Sequence, residues 1–385
     1  MSEIKVNSIK GVAASSAAIT INNTDGTCAV NNTQRQGINL VTNGAMRISQ
    51  RGTSFSTVSN NETTIDQFAL THPYGSSQMS ISQSTTSPDG FSNSYKLDVN
   101  SADTSIGSGQ YVAIRHRIEA QNLQQLAFGT SSAKSISLSF YVRSNVTGTY
   151  AVNIQQTDNS KKQVSATYTI NNADTWERKT FTFPGDTSGV INNDTGDGFE
   201  ILFWLAAGSN RNSGTARSTF TAFADADQAA GHTANILSST SNNFHLTGVQ
   251  LEASDAASDF EHRSFGEELA LCQRYFLMVA DGSVDSDDTV AAMFIYTASN
   301  ARAIIHFPVS MRTIPDIYSV GGTDYFRVFM AGGTNLYPDA VGGGNERLLQ
   351  AELSFSDGLS GMTPGQIALL RLDNAAARIG YSAEL

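Results

Sequence analysis

The sequence predicts an all-β protein. It begins with an N-terminal extended strand segment, continues as an antiparallel jelly-roll sandwich and a short linking helix, and ends in a second C-terminal β domain. Three observations lead there. Short apolar stretches alternate with period two along most of the chain. Clusters of Gly, Asn, Asp and Pro separate them at close intervals. Only 15% of residues are charged, against roughly 25% in ordinary soluble proteins. Polarity is carried by Ser, Thr, Asn and Gln, which favour turns and sheet surfaces over helices. With 385 residues, 40% of them hydrophobic, the chain is long enough for two or three domains with cores of their own.

Residues 1–38 come first. IKVNSI (4–9) and AITI (18–21) are short strand signals set among small and polar residues. Two isolated strands bury too little to stand alone, so the segment is either a flexible tail or gains order by pairing with other chains, which strand addition to a partner sheet would suit. Ile4, Val6 and Ile9 are its candidate docking residues.

Residues 39–265 read as the sandwich. YKLDV (95–99), YVAIRHRI (111–118), SISLSFYV (135–142), TYAVNIQ (149–155), VSATYTI (164–170), WERKTFTF (176–183), FEILFWLA (199–206) and FHLTGVQL (244–251) follow one another with no helical period between them. Eight or more such strands suit an antiparallel jelly roll. FEILFWLA is apolar on both faces and is expected at a sheet centre, with Trp204 in the core. Trp176 opens a strand at a packed edge.

The chain changes character at GVQLEASDAASDFEHRSFGEELALCQRYF (248–276). Ser264 and Glu267 have the capping-box spacing. Leu269, Cys272 and Phe276 follow at helical intervals, predicting a linking helix over 266–276. Beyond it, VAAMFIYTA (290–298), ARAIIHFPV (301–309), YFRVFM (325–330), LQAELSF (349–355), QIALLRLD (366–373) and ARIGYSAEL (377–385) make a second β domain over 277–385. No internal repeat relates it to the sandwich.

Composition and spacing exclude several functions. A net charge of −11 without a basic stripe speaks against nucleic-acid binding. The longest apolar run, ILFWLAA (201–207), is far short of the ~20 residues of a membrane helix. MSEIKVNSIKG carries no secretory h-region. Cys28 and Cys272 stand far apart and read as two free thiols. Glu267 and Glu268 are adjacent, so on a helix they point ~100° apart and cannot flank one bond. The six histidines show no ligand spacing. The loops NNDTGDGFE (192–200) and DGSVDSDD (281–288), and Glu252 at a strand end, carry the oxygen ligands of a structural calcium site, but without EF-hand spacing they read as solvated turns. Neither an enzyme nor a cofactor-binding protein is expected.

Several stretches together resemble tail-fibre and related virion structural proteins of tailed bacteriophages, of the type found in marine phages. GINLVTNGAMRISQRGTSF with TIDQFAL (37–55, 64–70) is similar to their "NGxMxxxQRGTS…DRW" sandwich opening, with Gln67 and Phe68 where Arg and Trp are usual. TWERKTFTFPGDTSG (175–189) resembles the mid-sandwich strand and turn. The 248–276 stretch matches the closing pattern "VQLExG…FExRxxxxELxLCQRYF", with Ser254 where Gly is common. FPVSMRTIPDI (307–317) and the terminal YSAEL resemble the C-terminal module, and IKVNSI…AITI the virion-anchoring segment.

The resemblance implies a carbohydrate-binding-like sandwich and a homotrimeric fibre in the virion tail, synthesised in the host cytoplasm. Its partners would be other phage tail proteins and a host cell-surface glycan or protein receptor. A non-adhesive tail or neck component is the alternative. In either case the charged stretch reads as a domain joint. Glu261, His262, Arg263 and Arg274 tie it through polar contacts, while Ser264 and Glu267 cap its helix; each such contact contributes ~0.5 kcal/mol where exposed.

Overall fold

Residues 39–284, 287 and 289–385 are described in full by the computed structural model, together with the backbone of Ser8–Ile9, Ile19–Ile21 and Cys28–Val30. Those three short strands pair antiparallel into a sheet of their own. Ile9 pairs with Ile19 across it. Ile4 and Val6 lie outside the described residues.

Two antiparallel sheets face each other from Ser54 to Glu252. The six-stranded one runs, in spatial order, Glu177–Phe183, Ile136–Ser144, Asn243–Glu252, Ser94–Val99, Met79–Ser84, Ser54–Phe55. The seven-stranded one runs Thr221–Ala222, Lys162–Ile170, Gly148–Gln156, Asp197–Ala207, Tyr111–Glu119, Phe68–Thr71, Glu62–Ile65. Neighbours in space come from distant parts of the chain, as a jelly roll requires. Period-two patterning sends Phe140, Tyr150, Phe203 and Phe244 inward from both sheets into one core. The doubly apolar strand Asp197–Ala207 is the middle strand of its sheet.

Two insertions depart from an unbroken strand pattern. Ala120–Leu126 is a 3-10 helix because Ala120, Leu123 and Leu126 recur every third residue and bury one eclipsed face. From Ser209 to His232 the chain crosses the outside of the seven-stranded sheet through a helical turn, Ser209–Asn212, and a 3-10 turn, Asp225–Asp227. This roof makes Trp204 buried in a small outer cluster with Ala113, Ala151, Leu202 and Ala229 instead of in the inter-sheet core. Three side chains beneath the roof hydrogen-bond to it: Gln155 Nε2 donates to Gln228 Oε1 (3.2 Å), Ser165 Oγ to Asp227 O (3.0 Å) and Gln163 Nε2 to Ala224 O (2.8 Å). Trp176 sits one residue before its strand, its ring 5.8 Å from His245.

The linking helix spans Phe265–Gln273 instead of 266–276. Its capping box forms, Ser264 Oγ accepting from Glu267 N and Glu267 reaching back to Ser264 N. It ends early because strand pairing takes Phe276: Phe276–Asp281 hydrogen-bonds to Arg378–Ser382, and the Phe276 ring is buried there. Two further sheets follow. A three-stranded one has the order Phe276–Asp281, Arg378–Ser382, Asp316–Val320. The seven-stranded one has the order Asn335–Leu336, Phe326–Met330, Ile367–Leu372, Thr289–Thr297, Asn300–His306, Gln350–Phe355, Gly342–Gly344. Met293, Ile295, Leu353, Phe355 and Tyr381 form the core between them. The short strands Asp316–Val320 and Gly342–Gly344 had too little alternation to be legible in the sequence.

Candidate functional site

The sandwich closes on itself where its first and last segments meet. Asn39 Oδ1 accepts from Val41 N and Leu251 N, and Asn39 Nδ2 donates to Val249 O. Asn43, buried, donates through Nδ2 to Ile48 O and Asp66 O (2.8 Å each), shaping the tight loop NGAM. Asn43 and Met46 adopt positive φ there (59° and 56°). Gly44 is required by close approach: a Cβ would stand 2.0 Å from Val249 O.

Charged residues of 261–268 bind this opening loop. Glu261 Oε2 accepts from Asn39 N (2.8 Å) and Glu268 Oε1 from Asn43 N (2.6 Å). Arg263 donates to the carbonyls of Asn39 and Val41 and to Glu268. His262 packs its ring against Phe91 and Phe260 (5.2 and 4.9 Å). Ser264 and Glu267 stay at the helix cap. The sequence-selected residues therefore fall in two groups. Glu261 and Arg263, joined by Glu268, which the sequence marks only as a helix N-terminal charge, lock the sandwich's opening to its close, whereas Arg274 reaches elsewhere.

Arg274 forms a two-pronged pair with Glu119, Nε to Oε2 at 2.9 Å and Nη2 to Oε1 at 2.7 Å. Tyr275 OH also donates to Glu119 Oε2 (3.0 Å), and Arg274 Nη1 reaches Ser310 O (3.3 Å). Glu119 has no solvent exposure and ends a sandwich strand, so this cluster couples the sandwich to the C-terminal sheets. Residues not singled out from the sequence complete the contact. Arg312 donates to Thr195 O (2.6 Å) on the sandwich and to Ala383 O and Glu384 O (2.7 Å each) at the chain's end. Arg51 pairs with Glu384 (2.9 Å) and stacks on Phe276, 3.4 Å from the ring centroid. Gln50 bridges Asp66 and the Phe276 carbonyl. The signal for these lay in the "QRG" of the opening motif, in FPVSMRTIPDI, which holds Arg312, and in the terminal YSAEL.

Beside this contact lies a cleft of about 510 Å³ between the sandwich and the three-stranded sheet. Arg51, Phe55, Glu62, Tyr318, Arg378 and Glu384 line it. Its walls are sheet edges: Ser54–Phe55, Glu62–Ile65 and Asp316–Val320 each end their sheets. Arg51 is paired with Glu384 and Arg378 with Asp281 (3.0 Å), so the cations are balanced locally. Burial raises the carboxyl pKa of Asp66 and of Glu384, with Arg51 opposing in both. The cleft thus offers hydrogen-bond donors, acceptors and two aromatic rings to a neutral polar ligand, a usual composition for a pocket between packed units.

Burial lowers the pKa of four sandwich histidines, His72 among them. His116 is pushed down to about 3, its Nδ1 against Gln67 O; His245 to about 3; and His232, in the roof, to about 4. The carboxylates proposed for calcium are engaged by protein donors: Asp194 accepts from Gly196 N, Glu252 from Ser258, and Asp281 from Ser283 and Arg378. Asp285, Ser286 and Asp288 of the second loop lie outside the described residues. Among the described residues no His, Cys, Asp and Glu cluster is arranged to hold a metal ion. Cys272 is free and buried, and no described helix is long and apolar enough to cross a membrane.

No family model and no curated protein matches the chain. Among solved structures it is similar to the enzymatically active domain of tailspike protein 4 of bacteriophage CBA120, at 14% identity and TM-score 0.31, over 56% of this chain and 22% of that one. The chain therefore spans about a fifth of that tailspike's length. A carbohydrate-binding module described as CBM4 is similar at 12% identity and TM-score 0.29, over 56% of this chain and 99% of that one. The family 11 carbohydrate-binding module of a Clostridium thermocellum cellulase is similar at 13% identity and TM-score 0.26, over 54% and 96%. At TM-scores this low the overlaps carry no weight for function.

Proposed function

We propose that this chain is a non-catalytic structural protein and adhesin of a bacteriophage tail, assembled as a homotrimeric fibre. One observation carries the reading. The two stretches with the most specific tail-fibre resemblance, 37–55 and 248–276, lie about 200 residues apart in sequence yet form a single interlocked unit. Asn39 binds Glu261 and Arg263, Asn43 binds Glu268, and Gly44 packs on Val249. A motif pair whose residues need each other physically is a stronger link to a family than either motif alone.

In this reading residues 1–38 dock on other tail proteins through short strands, Ile4, Val6 and Ile9 among them. The sandwich, 39–265, forms the body, and the linking segment with its Arg274–Glu119 pair sets the orientation of the C-terminal domain, 277–385. The cleft lined by Glu62, Tyr318 and Arg378 receives a host-surface saccharide, hydrogen-bonded by the polar side chains and covered by Tyr318 and Phe55. No cofactor or metal takes part. A trimer multiplies a weak single-site affinity through avidity.

The test is glycan-array and calorimetric binding by the full chain and by a Tyr318→Ala/Arg378→Ala variant. Binding of a defined saccharide class that weakens at least tenfold in the variant supports the adhesin. The same local pairing of the cleft's charges also suits a purely structural contact. Wild-type protein that binds no glycan would leave the non-adhesive tail or neck component as the better reading.

A further inference from the structure

We infer that the outer face of the C-terminal seven-stranded sheet is a self-association surface, covered by a second copy of this chain. The face opposite its core carries Phe294, Tyr296, Ile304, Ile367, Leu369 and Phe329. Register places them together: Phe294 lies across from Ile367 on one side and Arg302 on the other, and Phe329 lies across from Leu369. Phe294, Tyr296, Ile304 and Ile367 are 49%, 52%, 50% and 66% exposed. The central strands Thr289–Thr297 and Ile367–Leu372, like Asp197–Ala207 in the sandwich, carry large apolar side chains on both faces. In the sandwich the chain supplies its own roof over the outer side; among the described residues nothing covers the C-terminal counterpart.

Size, composition and charge identify the occupant. Seven strands of two to nine residues, at about 3.4 Å per residue and about 4.8 Å apart, make a face of about 600 Å² in projection. That is comparable to the roughly 800 Å² per partner of a standard interface. The centre is aromatic and aliphatic, its cations are arginines, and no lysine occurs after Lys179, a composition typical of interface cores. Charge argues for a copy of the same chain. The protein as a whole carries −11, so most of its surface repels another copy. On this face the charges are paired in place, Arg302 with Glu352 (3.1 Å) and Arg327 with Asp373 (3.3 Å). The Arg302 guanidinium lies flat over Tyr296, 4.0 Å from its centroid. Three such balanced, apolar faces turned toward a threefold axis would cover one another, in keeping with the trimer reading.

The inference deepens the oligomer reading by naming the surface, and the test separates the two. Sedimentation velocity over a concentration series would compare the full chain with Phe294→Asp/Ile367→Asp, with the milder Phe294→Ser/Ile304→Ser, and with a control, Val190→Asp, on an exposed sandwich position. Near-ultraviolet dichroism would check that each variant is folded. The expected result is a wild-type oligomer whose dissociation constant rises at least tenfold in both face variants and is unchanged in the control. An oligomer that persists unchanged in folded face variants would overturn this surface and leave the oligomer intact. A wild-type monomer at every concentration would overturn both. A monomer that binds saccharide through Tyr296 would reassign the face as a glycan platform and overturn the inference.

Discussion

Two seven-stranded sheets in this molecule share a sequence signal and differ in what became of it. In the sandwich, FEILFWLA sends Phe203 and Ile201 into the core and Trp204 and Leu202 to the other side, where residues 209–232 lie over them. In the C-terminal unit, AAMFIYT and QIALLRL send Met293, Ile295, Ala368 and Leu370 inward. They leave Phe294, Tyr296 and Ile367 bare. An apolar run without alternation states that both faces want cover; it does not state who provides it. The difference teaches that, among the described residues, the sandwich sheet is covered by its own chain and the C-terminal sheet's outer face is not.

Acid should break the symmetry most. His116, His245 and His232 are buried and neutral when folded, and all three belong to the sandwich, whereas His306 of the C-terminal unit is exposed. Their folded pKa values lie below the unfolded value near 6.5, so below that pH the unfolded state binds more protons. The stabilisation is complete above about 6.5 and is lost, at up to about 1.4 kcal/mol per unit for each group, as pH falls toward their folded values. Asp66 and Glu384 act in the opposite sense, since burial raises their folded pKa values and protonation favours the fold. His72 and the lowered carboxyls of Glu177, Asp186 and Asp227 act with the three histidines, and among the described residues of the sandwich only Asp66 and Asp197 oppose them. Urea unfolding followed from pH 7 to pH 4.5 should therefore show the sandwich losing stability before the C-terminal unit does. A flat profile would contradict the buried, neutral histidines.

The roof itself can be tested next. Trp204→Ala should cost about 3–5 kcal/mol, because a fully covered ring is removed. Phe294→Ala at monomer concentrations should change stability by less than about 1 kcal/mol, as exposed positions do. Equal losses at the two sites would abolish the distinction between covered and bare faces. The junction comes third. Glu119→Ala leaves the Arg274 and Tyr275 donors facing an empty acceptor and should cost about 3 kcal/mol. It should also split one unfolding transition into two, read by fluorescence and far-ultraviolet dichroism. Retention of a single transition would show that Arg312 and Arg51 hold the units together without it. Smallest is Ser264→Ala at the helix cap, about 1 kcal/mol, measured by the same denaturation.

Much of the fold was legible in the residues. Each long sandwich strand other than Asp197–Ala207 follows a period-two stretch, and the capping box at Ser264 marks the start of the linking helix, because both signals are local. The helix end was not legible. Phe276 sits at helical spacing from Leu269 and Cys272, yet pairing with Arg378–Ser382 draws it into a strand, and nothing within the helix segment encodes that partner. The charged stretch 261–274 was recognisable as a tie, but not its division of labour. Arg263 binds Asn39 at the sandwich's opening while Arg274 binds Glu119 at the end of a sandwich strand, and both targets lie more than 150 residues earlier in the chain.

The sequence by itself determined the all-β class, the order of the strands, the capped helix and the clustering of charge at 261–274. Each depends on periodicity or on contacts within a few residues. Only the tertiary structure decided that Glu119, Arg312 and Glu384 meet Arg274 and Arg51, that three sheet edges enclose a cleft, and that one doubly apolar sheet is roofed and the other left open. These are long-range outcomes. They turn on which segments fold back over which faces, and period-two patterning specifies that a face is apolar without specifying its partner.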